Sequence, residues 1–277
     1  MTADDALDGI RSWDAIASAG LIRAGGESVA GPADRTFQWA SVTKVLTAVA
    51  VWVAVEEGAL AWEDPAGPPG ATLRHLLSHA SGLAPDSDRV LAPPGRRRIY
   101  SNRGLEVAAG VLAEAAGMPA SQYVAEAVLE PLGMESTTVA NPAWGAQGPL
   151  RDLLALAREL RHPTLISAAT VTEAASPAYP GLPGVLPGFG PQRDNSWGLG
   201  VEVRDHKDPH WTGRLNSPRT FGHFGRSGSF LWVDPDAGVA LAVLSDRPFG
   251  PWAAEAWPVL ADTALRAAAT SPPPASP

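Results

Sequence analysis

Cysteine is absent from the 277 residues, which excludes disulfide staples and thiolate chemistry and leaves the compartment open. Long apolar runs are absent too, none reaching the roughly 18 residues of a membrane span. The opening Met1-Thr2-Ala3-Asp4-Asp5 is acidic where a secretory leader would be basic. The expectation is a cytoplasmic protein with no membrane partner. A positive balance is missing as well: the formal net charge of -8 argues against nucleic acid as partner. The one basic cluster, Arg96-Arg97-Arg98, is too short for a binding stripe and reads as a solvated loop. Lysine is the scarcest charged residue, since Lys44 and Lys207 are the only two among 21 Lys and Arg side chains. A position that keeps a lysine against that bias has a use for an amine.

Lys44 stands in Ser41-Val42-Thr43-Lys44. A serine attacks a carbonyl when a neighbour takes its proton. Arginine stays protonated in proteins, whereas a desolvated lysine can be neutral. Positions i and i+3 of a helix share a face, so Ser41 and Lys44 would meet. The run Val45 to Val55 is apolar nearly all round and predicts a helix buried on every side and closed by Gly58. Ser41 would sit at its N-terminus, where free N–H groups favour an oxyanion. A serine cap followed by a snorkelling lysine would give the same letters.

Two further strings narrow the reading. Tyr100-Ser101-Asn102 follows the turn Pro93-Pro94-Gly95 and precedes a helical stretch to Ala116, which displays both side chains on a loop. A phenol there can pass a proton, and the Asn102 amide can accept from Lys44 while donating to a substrate carbonyl. Further on, Phe221-Gly222-His223-Phe224-Gly225-Arg226-Ser227-Gly228 reads as a glycine-rich strand with one histidine.

Together these segments resemble the serine β-lactamase and D,D-peptidase superfamily, in particular class C β-lactamase-like serine hydrolases. Pro94 to Gly104 is similar to P-G-x-x-x-x-Y-S-N-x-G, Phe37 to Lys44 to F-x-x-A-S-x-T-K, and Thr72 to Leu83 to T-x-R-H-L-L-x-H-x-S-G-L. Glu130 to Met134 resembles a scaffold turn and Trp197-Gly198-Leu199-Gly200 a strand opening into the third motif. The resemblance implies an antiparallel sheet flanked by helices with an inserted all-helical domain, an α/β (α+β) fold without cofactor or metal. It implies catalysis by Ser41, Lys44 and Tyr100, with Asn102, His223, Gly225 and Arg226 meeting the substrate. His223-Phe224-Gly225 departs from the Lys-Thr-Gly usual in β-lactamases and matches the His-x-Gly of many esterases and peptidases, with Arg226-Ser227-Gly228 as the alternative register. In the His223 register the N–H groups of Ser41 and Arg226 form the oxyanion hole, and Gly225 lets substrate approach the strand.

Segments 1–65 and 177–270 are expected to form the sheet domain, 66–176 the helical domain, and 271–277 a disordered tail. The Pro- and Gly-rich stretch 177–192 reads as a long loop over the cleft whose Tyr179, Leu182 and Phe189 shape an acyl pocket or pack down. His75 and His79, four apart on a predicted helix, are read as structural, and Asp205 to Trp211, with His206 and His210, as a flexible polar loop without metal. The scatter of the ten tryptophans favours core packing. The expected activity is hydrolysis of an ester or small amide through an acyl-enzyme on Ser41. The alternatives are a true β-lactamase or D,D-peptidase and a non-catalytic penicillin-binding-like sensor. The substrate is a small ester, amide or lactam; the sequence is silent on oligomeric state.

Overall fold

The computed structural model describes residues 3–270; the predicted tail 271–277 lies outside them. An N-terminal helix α1 (Ala3–Leu7) leads into β1 (Ala17–Arg23) and β2 (Gly26–Ala30), followed by β3 (Phe37–Gln38) and helix α2 (Thr43–Glu56). The middle of the chain carries α3 (Leu73–Leu77), β4 (Leu83–Ala84), β5 (Ser87–Val90), α4 (Asn102–Ala116), α5 (Ala120–Val124), β6 (Thr138–Val139), β7 (Ala146–Gly148), α6 (Leu150–Arg161) and α7 (Ala168–Ala174). Then come β8 (Gly184–Leu186), β9 (Gly190–Gln192), β10 (Glu202–Val203), β11 (Phe221–Gly225), β12 (Ser229–Asp234), β13 (Val239–Ser245) and α8 (Pro251–Ala269).

The main sheet is antiparallel throughout, in the order β10-β11-β12-β13-β1-β2. Its central strands are apolar on both faces because both are covered. Leu241 and Val243 of β13 pack with Trp257 and Leu260 of α8, while Ala240, Ala242 and Leu244 face the other core with Leu153 and Leu154 of α6. This is the β-lactamase/transpeptidase-like arrangement that the motifs imply. Helix α2 is buried from Thr43 to Ala54, as its apolar run predicts, and the chain reverses at Gly58 with φ +75°.

Local differences have physical reasons. The stretch 66–176 is not helical throughout: it holds the β4–β5 hairpin and the β6 and β7 strands, of which β7 pairs with β3, and α6 lies against the sheet. A Cβ on Gly20 of β1 would fall 2.6 Å from Leu154 Cδ2, so the missing side chain makes room for α6. Trp197 to Gly200 is a loop with one isolated bridge, Trp197 to Glu202, and is tied to α2 where Trp52 Nε1 donates to the Leu199 carbonyl at 2.9 Å. The stretch 177–192 folds its second half into the β8–β9 hairpin.

Among the described residues no helix is long and apolar enough to cross a membrane. Leu154→Ala should cost about 2–5 kcal/mol in urea unfolding because a buried contact between α6 and the sheet is lost. A loss well under 1 kcal/mol would show that α6 merely rests on the surface.

Candidate active site

Ser41 lies in a 3-10 turn, Ala40–Val42, that leads into α2. Ala40 holds φ +45°, a left-handed conformation that disfavours a residue with a side chain and is kept only where the surroundings enforce it. Here they do. Trp39 N–H donates to the Ala146 carbonyl at 2.9 Å, Ser229 Oγ donates to the Trp39 carbonyl at 2.7 Å, and Thr43 Oγ1 donates to the Ala40 carbonyl at 2.6 Å. Gly225 completes the clamp, since a Cβ there would stand 2.4 Å from the Trp39 oxygen. The glycine read as a path for substrate thus first admits the turn that carries Ser41.

Lys44, one helical turn on, is fully buried. Its Nζ donates to Asn102 Oδ1 and to the Ala143 carbonyl, both at 2.7 Å, and stands 3.2 Å from Ser41 Oγ. Burial lowers its pKa to about 7, with Asp86 and Glu106 opposing the shift. A neutral amine has two N–H bonds and one lone pair. The two carbonyl-type acceptors take the former, so the lone pair is left for the Ser41 hydroxyl.

Tyr100 comes from the loop before α4. Its ring centroid is 4.9 Å from Lys44 Nζ, and its hydroxyl is 3.5 Å from His223 Nε2 on β11. Burial pushes the phenol well above its ordinary pKa, with a hydrogen bond to Ser41 acting the other way, so it keeps its proton at neutral pH. Burial, then the charge of Lys44, lowers His223 to about 3. Its Nδ1–H donates to the Phe224 carbonyl at 2.7 Å, which leaves the Nε2 lone pair facing the cleft. Asn102 donates from Nδ2 to Asp86 Oδ1 at 2.7 Å, fixing the amide so that its oxygen meets Lys44.

A model of the Beta-lactamase family matches residues 18–265. The chain belongs to this family. A beta-lactamase from Mycobacterium bovis superimposes with a TM-score of 0.93 at 48% identity, over 95% of this chain and 99% of that one. EstCE1, a hydrolase with promiscuous acyltransferase activity, shares the fold with a TM-score of 0.77 at 18% identity, over 95% of this chain and 97% of that one. Penicillin-binding protein 4* of Bacillus subtilis (strain 168) is 29% identical over 138 residues, 38% of this chain and 31% of that protein. The chain therefore aligns with about a third of that relative's length.

In this β-lactamase-family protein Ser41, Tyr100, Asn102, Trp197, His223 and Arg226 line one cavity of about 490 Å³, with Phe224 and Phe249 as apolar wall. Leu186 to Gly188, from the stretch expected to cover the cleft, reach it; Phe189 packs on Phe224 and Phe249 behind it. Tyr179 does not line it and stacks on His75 with centroids 4.4 Å apart.

Several residues have roles that sequence reasoning missed. His79 is not on a helix with His75: α3 ends at Leu77, and His79 has φ +56°. It brackets Tyr100 instead, its carbonyl accepting Ile99 N–H at 2.9 Å and its Nδ1 accepting Ser101 N–H at 3.2 Å, with its ring 4.7 Å from that of Tyr100. Arg98 is not solvated but buried, its guanidinium donating to the carbonyls of Ser78, Ala178, Tyr179 and Asn195. The stretch 205–211 is not a free loop either. Lys207 and His210 are buried against Glu202, with Lys207 Nζ also donating to the Ser196 carbonyl at 2.7 Å. Burial raises Glu202, but His210 and Lys207 outweigh it and hold the carboxyl below its usual range. His206 stands 87% exposed, and no group of metal-ligating side chains occurs among the described residues. Only neighbouring Gly, Pro and apolar residues hint at such burial in the sequence, and Asp86 and Ala143 leave no local signal.

The state of Lys44 has a thermodynamic signature. Its pKa is about 7 in the fold and 10.5 in the open chain, so between these values the unfolded state binds the extra proton. Stability should therefore rise with pH across that window, by up to about 1.4 kcal/mol per unit. Urea unfolding of wild type and Lys44→Met at pH 7 and pH 9 reads the difference in slope. Equal slopes would mean that Lys44 is buried as an ammonium.

Proposed function

We propose that this protein is a serine hydrolase that cleaves an ester or small amide through an acyl-enzyme on Ser41. The observation that carries the reading is the buried amine of Lys44, whose two N–H bonds are already taken and whose free position faces the serine hydroxyl. As Oγ attacks the substrate carbonyl, its proton moves to Nζ. The N–H groups of Ser41 and Arg226 receive the oxyanion. On collapse, the neutral Tyr100 phenol protonates the departing oxygen or nitrogen and is reprotonated from the Lys44 ammonium. Water then repeats the sequence on the acyl ester, releasing acid and free Ser41.

His223 supports esters over lactams bearing a carboxylate. A lysine at this place offers a charge-assisted hydrogen bond, whereas neutral His223 turns a lone pair to the cleft. A charged bond is worth about 1.5–3 kcal/mol and the His223 lone pair offers a carboxylate no donor in its place, so carboxylate recognition weakens by roughly ten- to a hundredfold. Arg226 at the rim offsets part of this. Lactam hydrolysis is the second reading, favoured by the name and 48% identity of the Mycobacterium bovis relative. A silent ligand sensor is the third; the joint presence of Ser41, Lys44, Tyr100 and Asn102 speaks against it.

Ser41→Ala and Lys44→Arg should each remove nearly all hydrolysis of p-nitrophenyl acetate, with non-additive losses in the double variant. A Lys44→Arg variant near wild-type activity ends the proposal. In the wild type, kcat/KM should climb with pH through about 7 as Lys44 loses its proton. Short p-nitrophenyl esters should be turned over with higher kcat/KM than nitrocefin or penicillins, and His223→Lys should move the ratio at least about tenfold toward the lactam. Wild-type penicillin hydrolysis faster than ester hydrolysis would promote the second reading.

A further inference from the structure

Beyond Tyr100 the cleft continues. A second cavity of about 660 Å³ shares Tyr100 and Pro187 with the catalytic one and runs outward between the β4–β5 and β8–β9 hairpins. Its walls include Pro85, Leu91, Ile99, Val185 and Pro191. Leu91 and Val185 are 38% and 58% exposed, two of the few large apolar side chains turned to water among the described residues. Its volume lies inside the range of about 300–1,000 Å³ typical of small-molecule sites.

The groove is rigidly built. Arg98 N–H donates to the Pro183 carbonyl at 2.8 Å, and Arg98 forms a parallel bridge with Gly184, where a Cβ would stand 2.6 Å from that of Arg98. The loop that carries Tyr100 and the hairpin that carries Val185 are thus held as one wall. The Arg98 guanidinium is spent on four backbone carbonyls, which leaves Arg97, on the solvent side, as the charge bordering the groove.

We infer that the groove receives the alcohol part of the substrate, an ester whose leaving group carries an extended apolar chain. The inference rests on the hydrolase reading above and fixes direction within it. Tyr100 protonates the leaving oxygen, so what is bonded to that oxygen continues on the Tyr100 side. The acyl part takes the rest of the catalytic cavity, against Phe224 and Phe249. Cleavage breaks the acyl carbon–oxygen bond, the alcohol departs along the groove with the proton from Tyr100, and the acyl group stays on Ser41 until water removes it.

Two ester series on the full chain test this: acetates of ethanol, butanol, hexanol and octanol, and ethyl esters from acetate to octanoate. The alcohol series should rise in kcat/KM by up to about fourfold per methylene until the groove is filled. Leu91→Asp and Val185→Asp, both at exposed positions, should cut the octyl-to-ethyl ratio at least tenfold and leave the slope of the acyl series unchanged. Independence of alcohol length overturns the inference while the hydrolase reading stands, as does an effect of both variants confined to the acyl series. Absence of turnover for every ester, beside active lactam hydrolysis, overturns both.

Discussion

The site depends on one amine held out of water with its donors already committed. Two oxygens, from Ala143 and Asn102, meet Lys44 Nζ at equal distance, and each is itself fixed. Asn141 Oδ1 accepts Ala143 N–H at 2.8 Å, Asn141 Nδ2 donates to Glu106 at 3.2 Å, and Thr47 on α2 donates to the Pro142 carbonyl at 2.6 Å. Asp86 fixes the other oxygen through the Asn102 amide. Burial alone would push the amine further from protonation. Asp86 and Glu106 limit the fall, which leaves it near neutrality, where a base for a hydroxyl works best.

The same economy explains the neighbours of Tyr100. A phenol that acts as proton donor must be neutral and must be aimed, and the two requirements draw on different features. Burial keeps the proton on. Aim comes from the loop, gripped by His79 on both sides of Tyr100 and by Arg98 two residues before it. His79 sits in a left-handed conformation to do so, a strain of the kind that clusters at functional sites.

Much of this is legible in the sequence where chemistry sits within a short span. Ser41 and Lys44 are one helical turn apart, and the apolar run after them announces burial; the scarcity of lysine marks Lys44 from composition alone. His223 and Tyr100 are readable through their surrounding strings, and the helical stretch to Ala116 is found where the sequence predicts it. What escapes is set by tertiary contact. Arg98 is the same letter as its exposed neighbours Arg96 and Arg97, and only the fold brings four carbonyls around it. Lys207 and His210 look like a polar loop until Glu202, on a strand apart from them, supplies the countercharge that lets them be buried.

The neutral amine of Lys44 is open to direct observation because the chain has only two lysines. In protein labelled with carbon-13 and nitrogen-15 at lysine, NMR titration resolves both side chains, and the signal missing from Lys44→Arg identifies Lys44. A Lys44 resonance that titrates near pH 7 is the result this account requires. A Lys44 resonance that stays protonated to pH 10 would contradict it, for an ammonium cannot take the Ser41 proton.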